Sequence, residues 1–227
     1  TKALEENKIK PAGQPKIDLK TYGEDKDLEY VISVTELPKV EIKSIESIKV
    51  LSEQLIKNRA ERSSLLINLG GGVICDLGGF LASIFNRGIK YCNVPTTLLS
   101  QVDASIGGKT AVNFNQIKNK LGVFNHPQST LIIPDFLKTL PEVEMNSGFG
   151  EIFKYALIKD QKMWDALIKR DIMCEDNLEE LIQSSISIKT EIVEQDLFDV
   201  GMRKILNFGH TIGHAVESVY VENPTFN

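Results

Sequence analysis

Over the first two thirds of the chain, stretches with apolar residues at helical spacing take turns with short continuous apolar runs. Residues 46–59 and 73–85 carry apolar side chains at helical spacing, which predicts two helices. Between them lie short apolar or β-branched runs of the kind that forms buried strands. A helix, a buried strand, a glycine turn and a second helix in this order are typical of a parallel α/β unit. The predicted strands are residues 30–35, 64–69, 91–94 and 130–133.

The pattern changes near residue 147, after which no strand signal remains. We therefore predict an α/β nucleotide-binding domain at residues 30–146 and an all-helical domain at residues 147–227. Residues 1–29 are polar with little periodicity, and we expect an irregular lead-in there. The amphipathic stretches that predict helices in the second domain are residues 148–159, 161–170, 177–195 and 209–221.

Composition and charge narrow the class of protein. The 227 residues are 42% hydrophobic, enough to fill a core, which excludes a disordered or fibrous chain. The 26 basic and 31 acidic side chains give a net charge of −5, which disfavours nucleic acid and anionic membranes as partners. No apolar run approaches the ~20 residues that span a bilayer, and the amino terminus lacks the apolar core of a signal peptide. Three cysteines without CxxC spacing disfavour a disulfide scaffold or zinc ribbon and predict a cytoplasmic location.

A glycine turn follows the predicted strand at residues 64–69. Gly71 and Gly72 would let the backbone approach a phosphate closely, and the helix that follows favours an anion at its amino terminus. Asp76 lies in the first turn of that helix. The pattern is not GxGxxG, so a simple tight turn remains an alternative. Thr96 and Thr97 follow the next strand, where open α/β sheets bind ligands, although they could equally cap a helix.

Residues 95–125 read as a polar loop with several anion-binding side chains. Gly107-Gly108-Lys109-Thr110 resembles the end of a P-loop, but the first glycine of that motif is missing, and we reject that interpretation. Lys109 and Lys118 beside a glycine pair would still suit a phosphate or carboxylate. The alternative is a solvated loop with scattered lysines.

Two of the three histidines lie four residues apart, at His210 and His214, on one face of a predicted helix. This spacing permits metal binding, but capping or core histidines would also explain it. Glu151 and Lys154 lie one helical turn apart in an otherwise apolar stretch, where a charged pair needs a reason. An exposed surface pair is the alternative.

Together these motifs resemble the 3-dehydroquinate synthase family of sugar-phosphate cyclases. The resemblance runs from about residue 31 to residue 217, through GGGVICDLGGF, VPTTLLSQVDASIGGKT, KNKLG, SGFGEIFKYALI and RKILNFGHTIGHAVE. It implies a nucleotide-binding α/β domain with a helical domain, usually as a homodimer. It also implies NAD and a divalent metal, zinc or cobalt, and conversion of 3-deoxy-D-arabino-heptulosonate 7-phosphate to 3-dehydroquinate in the shikimate pathway.

The resemblance further implies a set of site residues. The family removes hydride from a ring carbinol, eliminates phosphate, returns the hydride and closes the ring by an aldol step. Metal ligands are implied at Glu151 and His210, and NAD contacts at Gly71, Gly72, Asp76, Thr96, Thr97, Phe136 and Thr139. Catalytic roles are implied for Asp103, Lys109, Lys154 and His214, and substrate contacts for Arg87, Lys118, Asn119, Lys189, Arg203 and Asn207.

The sequence also departs from the family pattern. The family's third metal-ligating histidine has no counterpart before the chain reads Pro224-Thr225-Phe226-Asn227, and the GExxKS element is reduced to residues 39–44. We therefore expect a chain truncated at both ends relative to the family. Two alternatives stay open: another sugar-phosphate cyclase, and a non-catalytic remnant that serves as a structural or binding subunit.

Overall fold

A computed structural model describes residues 16–21, 29–33, 43–115, 117–169, 177–213 and 216. The chain divides into two compact units, Thr1–Glu41 and Ile42–Asn227. In the first unit, β1 (Lys16–Thr21) pairs antiparallel with β2 (Glu29–Ser33). The expectation of an irregular lead-in is therefore wrong for β1, whose polar and apolar residues alternate too briefly to stand out in the sequence.

A parallel three-stranded sheet forms the centre of the α/β part of the second unit. Its order is β3 (Leu65–Gly70), β4 (Lys90–Pro95) and β7 (Ser129–Thr130). Gly70 lies opposite Pro95 in the register, so the carboxyl ends of β3 and β4 share one edge of the sheet. The third strand is shorter than predicted, because only Cys92 and Asn93 of β4 are paired with it.

Helix α2 (Gly72–Ile84) packs against this sheet, and α1 (Ile45–Lys57) packs against α2. Ser44 caps α1 by accepting a hydrogen bond from the Ser47 backbone nitrogen at 3.3 Å. A core cluster forms between the two helices, β4 and the neighbouring strands, and it joins side chains that lie far apart in sequence. Its buried members are Ile48, Leu77, Phe80, Leu81, Ala82, Phe85, Ile89, Tyr91 and Val112.

The predicted polar loop contains an antiparallel hairpin of β5 (Lys109–Phe114) and β6 (Ile117–Phe124). The loop interpretation is therefore wrong for these residues. Nearly every residue of β6 is exposed, so the strand needs no apolar alternation and gives no periodic signal. Before the hairpin, Ser100–Ala104 form a short π-helix.

The remaining helices are α3 (Glu142–Lys159), α4 (Gln161–Ile168) and α5 (Leu178–Gln195). They enclose a second core cluster, which also includes Leu98 and Val102 from the segment around the π-helix. This core therefore extends across the predicted boundary at residue 147. Among the described residues, none of the helices combines the length and apolarity needed to cross a membrane.

The carboxyl-terminal helix predicted at residues 209–221 is described only in part. Residues 210–213 are helical, whereas 214, 215 and 217–227 lie outside the described residues. A 3₁₀ helix that the sequence did not predict, Met202–Asn207, precedes them. The α/β class with a helical second half is confirmed.

Candidate active site

The π-helix Ser100–Ala104 brings a carboxylate to the junction of the two core clusters. Ser100 accepts a hydrogen bond from the Thr97 backbone nitrogen, and the Thr97 hydroxyl accepts one from the Ser100 nitrogen, both at 3.2 Å. Gly148 of α3 lies directly against this segment, since a Cβ there would be 2.5 Å from the Leu98 side chain. Short π-helical turns occur often at functional sites, where they redirect a side chain. Here the turn directs Asp103 toward α3 and α5.

Asp103 is surrounded by donors. The Lys189 ammonium donates to its Oδ1 at 2.8 Å and to its backbone carbonyl at 2.5 Å, and the Tyr155 hydroxyl donates to Oδ1 at 2.5 Å. The Lys154 Nζ lies 3.8 Å from the same oxygen. Both lysines are buried. Burial alone would raise the pKa of Asp103, but the Lys189 and Lys154 charges and the hydrogen bonds hold it well below its ordinary 3.8.

The pKa of Lys189 is subject to two opposing effects. Burial lowers the pKa of Lys189, while the adjacent Asp103 carboxylate raises it. Lys154 also donates to Glu151 one turn earlier on α3. Its side chain is only 7% exposed, which rules out the alternative of an exposed surface pair.

Glu151 also lies beside His210, with 3.9 Å between the glutamate Oε1 and the histidine Nε2. Two ligands of a tetrahedral zinc ion lie about 3.4 Å apart, so this pair can approach one cation with little movement. The described residues contain no group of three or more His, Cys, Asp or Glu that could complete such a site. His214 lies outside the described residues, as does everything beyond residue 216.

A cavity of about 460 Å³ opens beside this cluster. At one wall the Lys43 ammonium donates to Asp76 at 2.6 Å. Burial raises the pKa of Asp76, against the opposing effect of Lys43. Near the start of β5, the Lys109 ammonium donates to Asp199 at 2.6 Å. The predicted site residues that line the cavity are Asp76, Asp103, Lys109, Asn119 and Lys189.

The glycine turn would let a nucleotide phosphate come close to the backbone. Gly71 is the N-cap of α2 and provides no capping side chain. A Cβ on Gly71 would lie 3.1 Å from the Thr97 side chain, and one on Gly72 would lie 2.8 Å from Ala104. Thr96 donates its backbone hydrogen to the Gly70 carbonyl at 3.0 Å, so both turns lie at one edge of the sheet. A helix amino terminus with bare glycines is a ready anion site.

Arg203 is almost fully buried, and its side chain donates hydrogen bonds to backbone carbonyl groups. Its guanidinium donates to the Gly107 carbonyl at 2.7 Å and to the Leu197 carbonyl at 3.0 Å. The Asp196 carboxylate fixes the segment that leads to Arg203. It accepts hydrogen bonds from the backbone nitrogens of Gly201, at 2.7 Å, and Arg203, at 3.1 Å. Arg203 therefore links the 3₁₀ helix Met202–Asn207 to the glycine pair before β5.

Several predicted site residues lie apart from the cavity. Arg87 ends the 3₁₀ helix Phe85–Arg87. Phe136 and Thr139 lie on the 3₁₀ helix Pro134–Thr139. The structure does not bring these to the Asp103 cluster, and their roles stay predictions. The predicted site residues that are exposed and absent from the cavity lining are Arg87, Lys118, Phe136, Thr139 and Asn207.

Sequence reasoning missed three residues that contact the cluster or hold its segments: Tyr155, Asp196 and Asp199. Tyr155 reads as one more apolar residue of α3, and its hydroxyl partner is 52 positions away. Asp196 and Asp199 lie in an irregular segment, where acidic residues are ordinary.

Solved structures of sugar-phosphate cyclases share this architecture. 2-epi-5-epi-Valiolone synthase from Streptomyces hygroscopicus subsp. jinggangensis 5008, with NAD⁺ and Zn²⁺ bound, matches at a TM-score of 0.69 and 30% identity. The match covers 76% of this chain and 51% of that one. 2-Deoxy-scyllo-inosose synthase, complexed with carbaglucose-6-phosphate, NAD⁺ and Co²⁺, matches at a TM-score of 0.72 and 28% identity, covering 79% and 51%. The fold is thus that of the sugar-phosphate cyclases.

Two family models place the chain within that class. The 3-dehydroquinate synthase N-terminal model matches residues 34–147, and the C-terminal model matches residues 148–224. The chain therefore belongs to the 3-dehydroquinate synthase family.

Curated 3-dehydroquinate synthases agree with this assignment. The one from Clostridium perfringens (strain SM101 / Type A) is 47% identical over 192 residues, covering 84% of this chain and 54% of that protein. The one from Sulfurovum sp. (strain NBC37-1) is 46% identical over 178 residues, covering 78% and 51%. The chain thus spans about half the length of the curated relatives it matches.

A third model, described as bacterial trigger factor protein, matches residues 1–61. It overlaps the synthase model at residues 34–61 and includes the first compact unit, Thr1–Glu41. The match covers about a quarter of the chain, which is too little to assign the chain to that family.

Proposed function

We propose that the chain carries 3-dehydroquinate synthase chemistry, converting 3-deoxy-D-arabino-heptulosonate 7-phosphate to 3-dehydroquinate and phosphate. The observation that carries the proposal is the Asp103 cluster. One carboxylate faces two buried lysines, beside a cavity that Lys109 also lines. Lysine side chains gathered at one cavity suit a substrate that carries a phosphate and a carboxylate. A protein without chemistry would gain little from burying these cations.

The glycine turn and the Glu151–His210 pair support the proposed cofactors. We propose that NAD lies on the turn at Gly71 and Gly72, where its chemistry would be to accept and return a hydride. Glu151 and His210 would supply two ligands to a divalent cation that polarises a ring oxygen. The solved relatives carry NAD⁺ with Zn²⁺ or Co²⁺, which supports both assignments.

The chain's own residues then bind and orient the substrate. Lys109 and Lys189 line the cavity and would neutralise the anionic groups of the substrate. From the hairpin, Lys118 would add a further cation and Asn119 an amide hydrogen bond. Asp103, held as a carboxylate, would accept a hydrogen bond from a ring hydroxyl. His214 would relay protons to the bound phosphate, which can itself act as a base during elimination.

The proposal is tested by turnover. The purified chain, supplied with NAD⁺ and Zn²⁺, is incubated with 3-deoxy-D-arabino-heptulosonate 7-phosphate, and 3-dehydroquinate and free phosphate are measured. Equal amounts of both products are expected. Turnover of sedoheptulose 7-phosphate or glucose 6-phosphate instead would identify another cyclase, and no turnover with any of the three would favour the non-catalytic remnant.

A pair of lysine variants on α3 tests the site itself. Lys154→Met removes a buried cation that contacts Glu151 and faces Asp103. It should lower kcat by about a hundredfold, which is typical when one charged group that stabilises a transition state is removed. Lys159, also on α3, forms an exposed pair with Glu191 of α5, and Lys159→Met should leave kcat unchanged. Equal rates for the two variants would contradict the assignment of Lys154.

Two further features belong to the proposal. We propose a homodimer, as the family resemblance implies, in which Arg87 would reach the partner's phosphate site. Sedimentation at micromolar concentration checks the dimer. We also propose a cytoplasmic location, supported by the free thiols of Cys75 and Cys92.

A further inference from the structure

Tyr155 is a buried polar group to which the proposed chemistry assigns no role. Its side chain is 0% exposed within the helical core, in contact with the cluster that includes Ile152 and Ile192. Its hydroxyl reaches out of that core and donates to Asp103 Oδ1 at 2.5 Å. A phenylalanine would fill the same space, so the hydroxyl is the part of this side chain that packing does not explain.

The donors around Asp103 converge on one of its two oxygens. Tyr155 at 2.5 Å, Lys189 at 2.8 Å and Lys154 at 3.8 Å all lie against Oδ1. The Asp103 side chain is nevertheless 26% exposed and lines the cavity. A carboxylate whose first oxygen is held by several donors has its plane fixed, which leaves its second oxygen available to a ligand.

We propose that Tyr155 is a positioning residue, whose hydroxyl fixes Asp103 Oδ1 so that the other oxygen accepts a hydrogen bond from a ring hydroxyl of the sugar phosphate. The inference rests on the proposed function for the identity of that ligand. The orientation of Asp103 by Tyr155 does not depend on it.

A neutral donor is well suited to this place. Lys154 and Lys189 are already matched by the carboxylates of Asp103 and Glu151, and a third cation would add a charge without a partner. The tyrosine hydroxyl adds a hydrogen bond and no charge. Its ring also lies 4.8 Å from the Lys154 ammonium, a distance at which a cation and an aromatic face attract. Tyr155 therefore restrains both Asp103 and one of its cations.

The chain offers a matched control in Tyr91. This residue is also buried, and its hydroxyl donates at 2.5 Å to the Asn125 backbone carbonyl, away from Asp103. Tyr155→Phe and Tyr91→Phe each remove one buried hydroxyl and one hydrogen bond of the same length. Both should lower the melting temperature by a similar few degrees. A change at the site that occurs in Tyr155→Phe but not in Tyr91→Phe therefore reports on Asp103 and not on a general loss of stability.

The first measurement needs no activity. With aspartate carboxyl carbons labelled with ¹³C, the Asp103 resonance is identified as the one that disappears in Asp103→Asn. We expect this resonance to shift in Tyr155→Phe and to stay in place in Tyr91→Phe. An unmoved Asp103 resonance in Tyr155→Phe would overturn the positioning role, whether or not the chain turns over a sugar phosphate.

The second measurement is a double-mutant cycle on turnover. Tyr155→Phe should raise KM for the heptulosonate phosphate about tenfold, the value of one hydrogen bond to a charged group, with a smaller change in kcat. In the Asp103→Asn background the same substitution should have no further effect, because Tyr155 acts through Asp103. An equal effect in both backgrounds would overturn the inference. A shifted resonance without any turnover would instead refute the proposed function and leave the positioning role standing.

Discussion

At the scale of single residues, Asp103 shows how the fold retains a charge in a poorly hydrated place. Burial disfavours its carboxylate, but the Lys189 and Lys154 cations and the Tyr155 hydroxyl more than offset that cost. Asp103 therefore stays ionised, and in return it stabilises the two buried lysines. Removing the Asp103 carboxylate would leave the buried Lys189 without its carboxylate partner.

This balance predicts how stability depends on pH. The pKa of Asp103 is lower in the folded chain than its ordinary 3.8, so the unfolded chain takes up its proton first as the pH falls. Its contribution to stability is fully present above about pH 5 and is lost progressively on acidification below that. Urea unfolding from pH 6 to pH 3 should therefore show a steeper loss of stability in the wild type than in Asp103→Asn.

The control for this experiment is Asp135→Asn. Asp135 forms an exposed pair with Lys138, and such pairs contribute little to stability. In Asp135→Asn, the free energy of unfolding should fall between pH 5 and pH 3 as steeply as it does in the wild type. If Asp103→Asn kept that slope as well, the low pKa assigned to Asp103 would be wrong.

Sequence reasoning found the charged members of this cluster and missed the neutral one. Lys154 stood out as a charged residue in an apolar stretch, whereas Asp103 and Lys189 were expected from the family resemblance. Tyr155 fits the apolar pattern of α3, and nothing local marks its hydroxyl as bonded to a residue 52 positions earlier. Contacts of this kind depend on tertiary packing, which a periodic pattern does not encode.

At the scale of elements, the site depends on how closely α3 approaches the π-helix Ser100–Ala104. Gly148 permits this approach, because any side chain there would meet Leu98 and the Leu99 backbone nitrogen, 2.8 Å away. The sequence predicted α3 but not the contact, and it read the π-helix and the hairpin β5–β6 as loop. The exposed strand β6 and a single π-turn leave no periodic signal, and β5 alternates buried and less buried positions over only six residues.

Two glycines of α3 make this contact testable. Gly148→Ala forces a methyl group into the Leu98 contact and should lower the free energy of unfolding by about 1–3 kcal/mol. Gly150→Ala, on the same helix with nothing within 4 Å of the new Cβ, should raise it by up to about 1 kcal/mol, because alanine favours the helix. Urea unfolding measures both. Equal changes of the same sign would show that Gly148 does not set the approach of the π-helix.

At the scale of the whole molecule, the chain contains two compact units, which the family models cover to different extents. The synthase models cover residues 34–147 and 148–224, while the first unit, Thr1–Glu41, lies within the match to the trigger factor model. Every site residue predicted from the sequence lies in the second unit. Lys43, which pairs with Asp76, lies there too. Among the described residues, those that line the cavity or contact Asp103 all lie in the second unit.

This division predicts that the first unit is dispensable for cofactor binding. A chain starting at residue 42 should bind NAD⁺ with a Kd within about twofold of the full chain, a difference of about 0.4 kcal/mol. Calorimetric titration measures both. Gly71→Val in the full chain is the control that should lose NAD⁺ affinity. Its branched side chain would press on Thr97 and block the close approach of the phosphate to the backbone at the turn. It should weaken binding at least tenfold, or about 1.4 kcal/mol. If the shortened chain lost affinity as Gly71→Val does while keeping its circular dichroism spectrum, residues 1–41 would have to contribute to the nucleotide site.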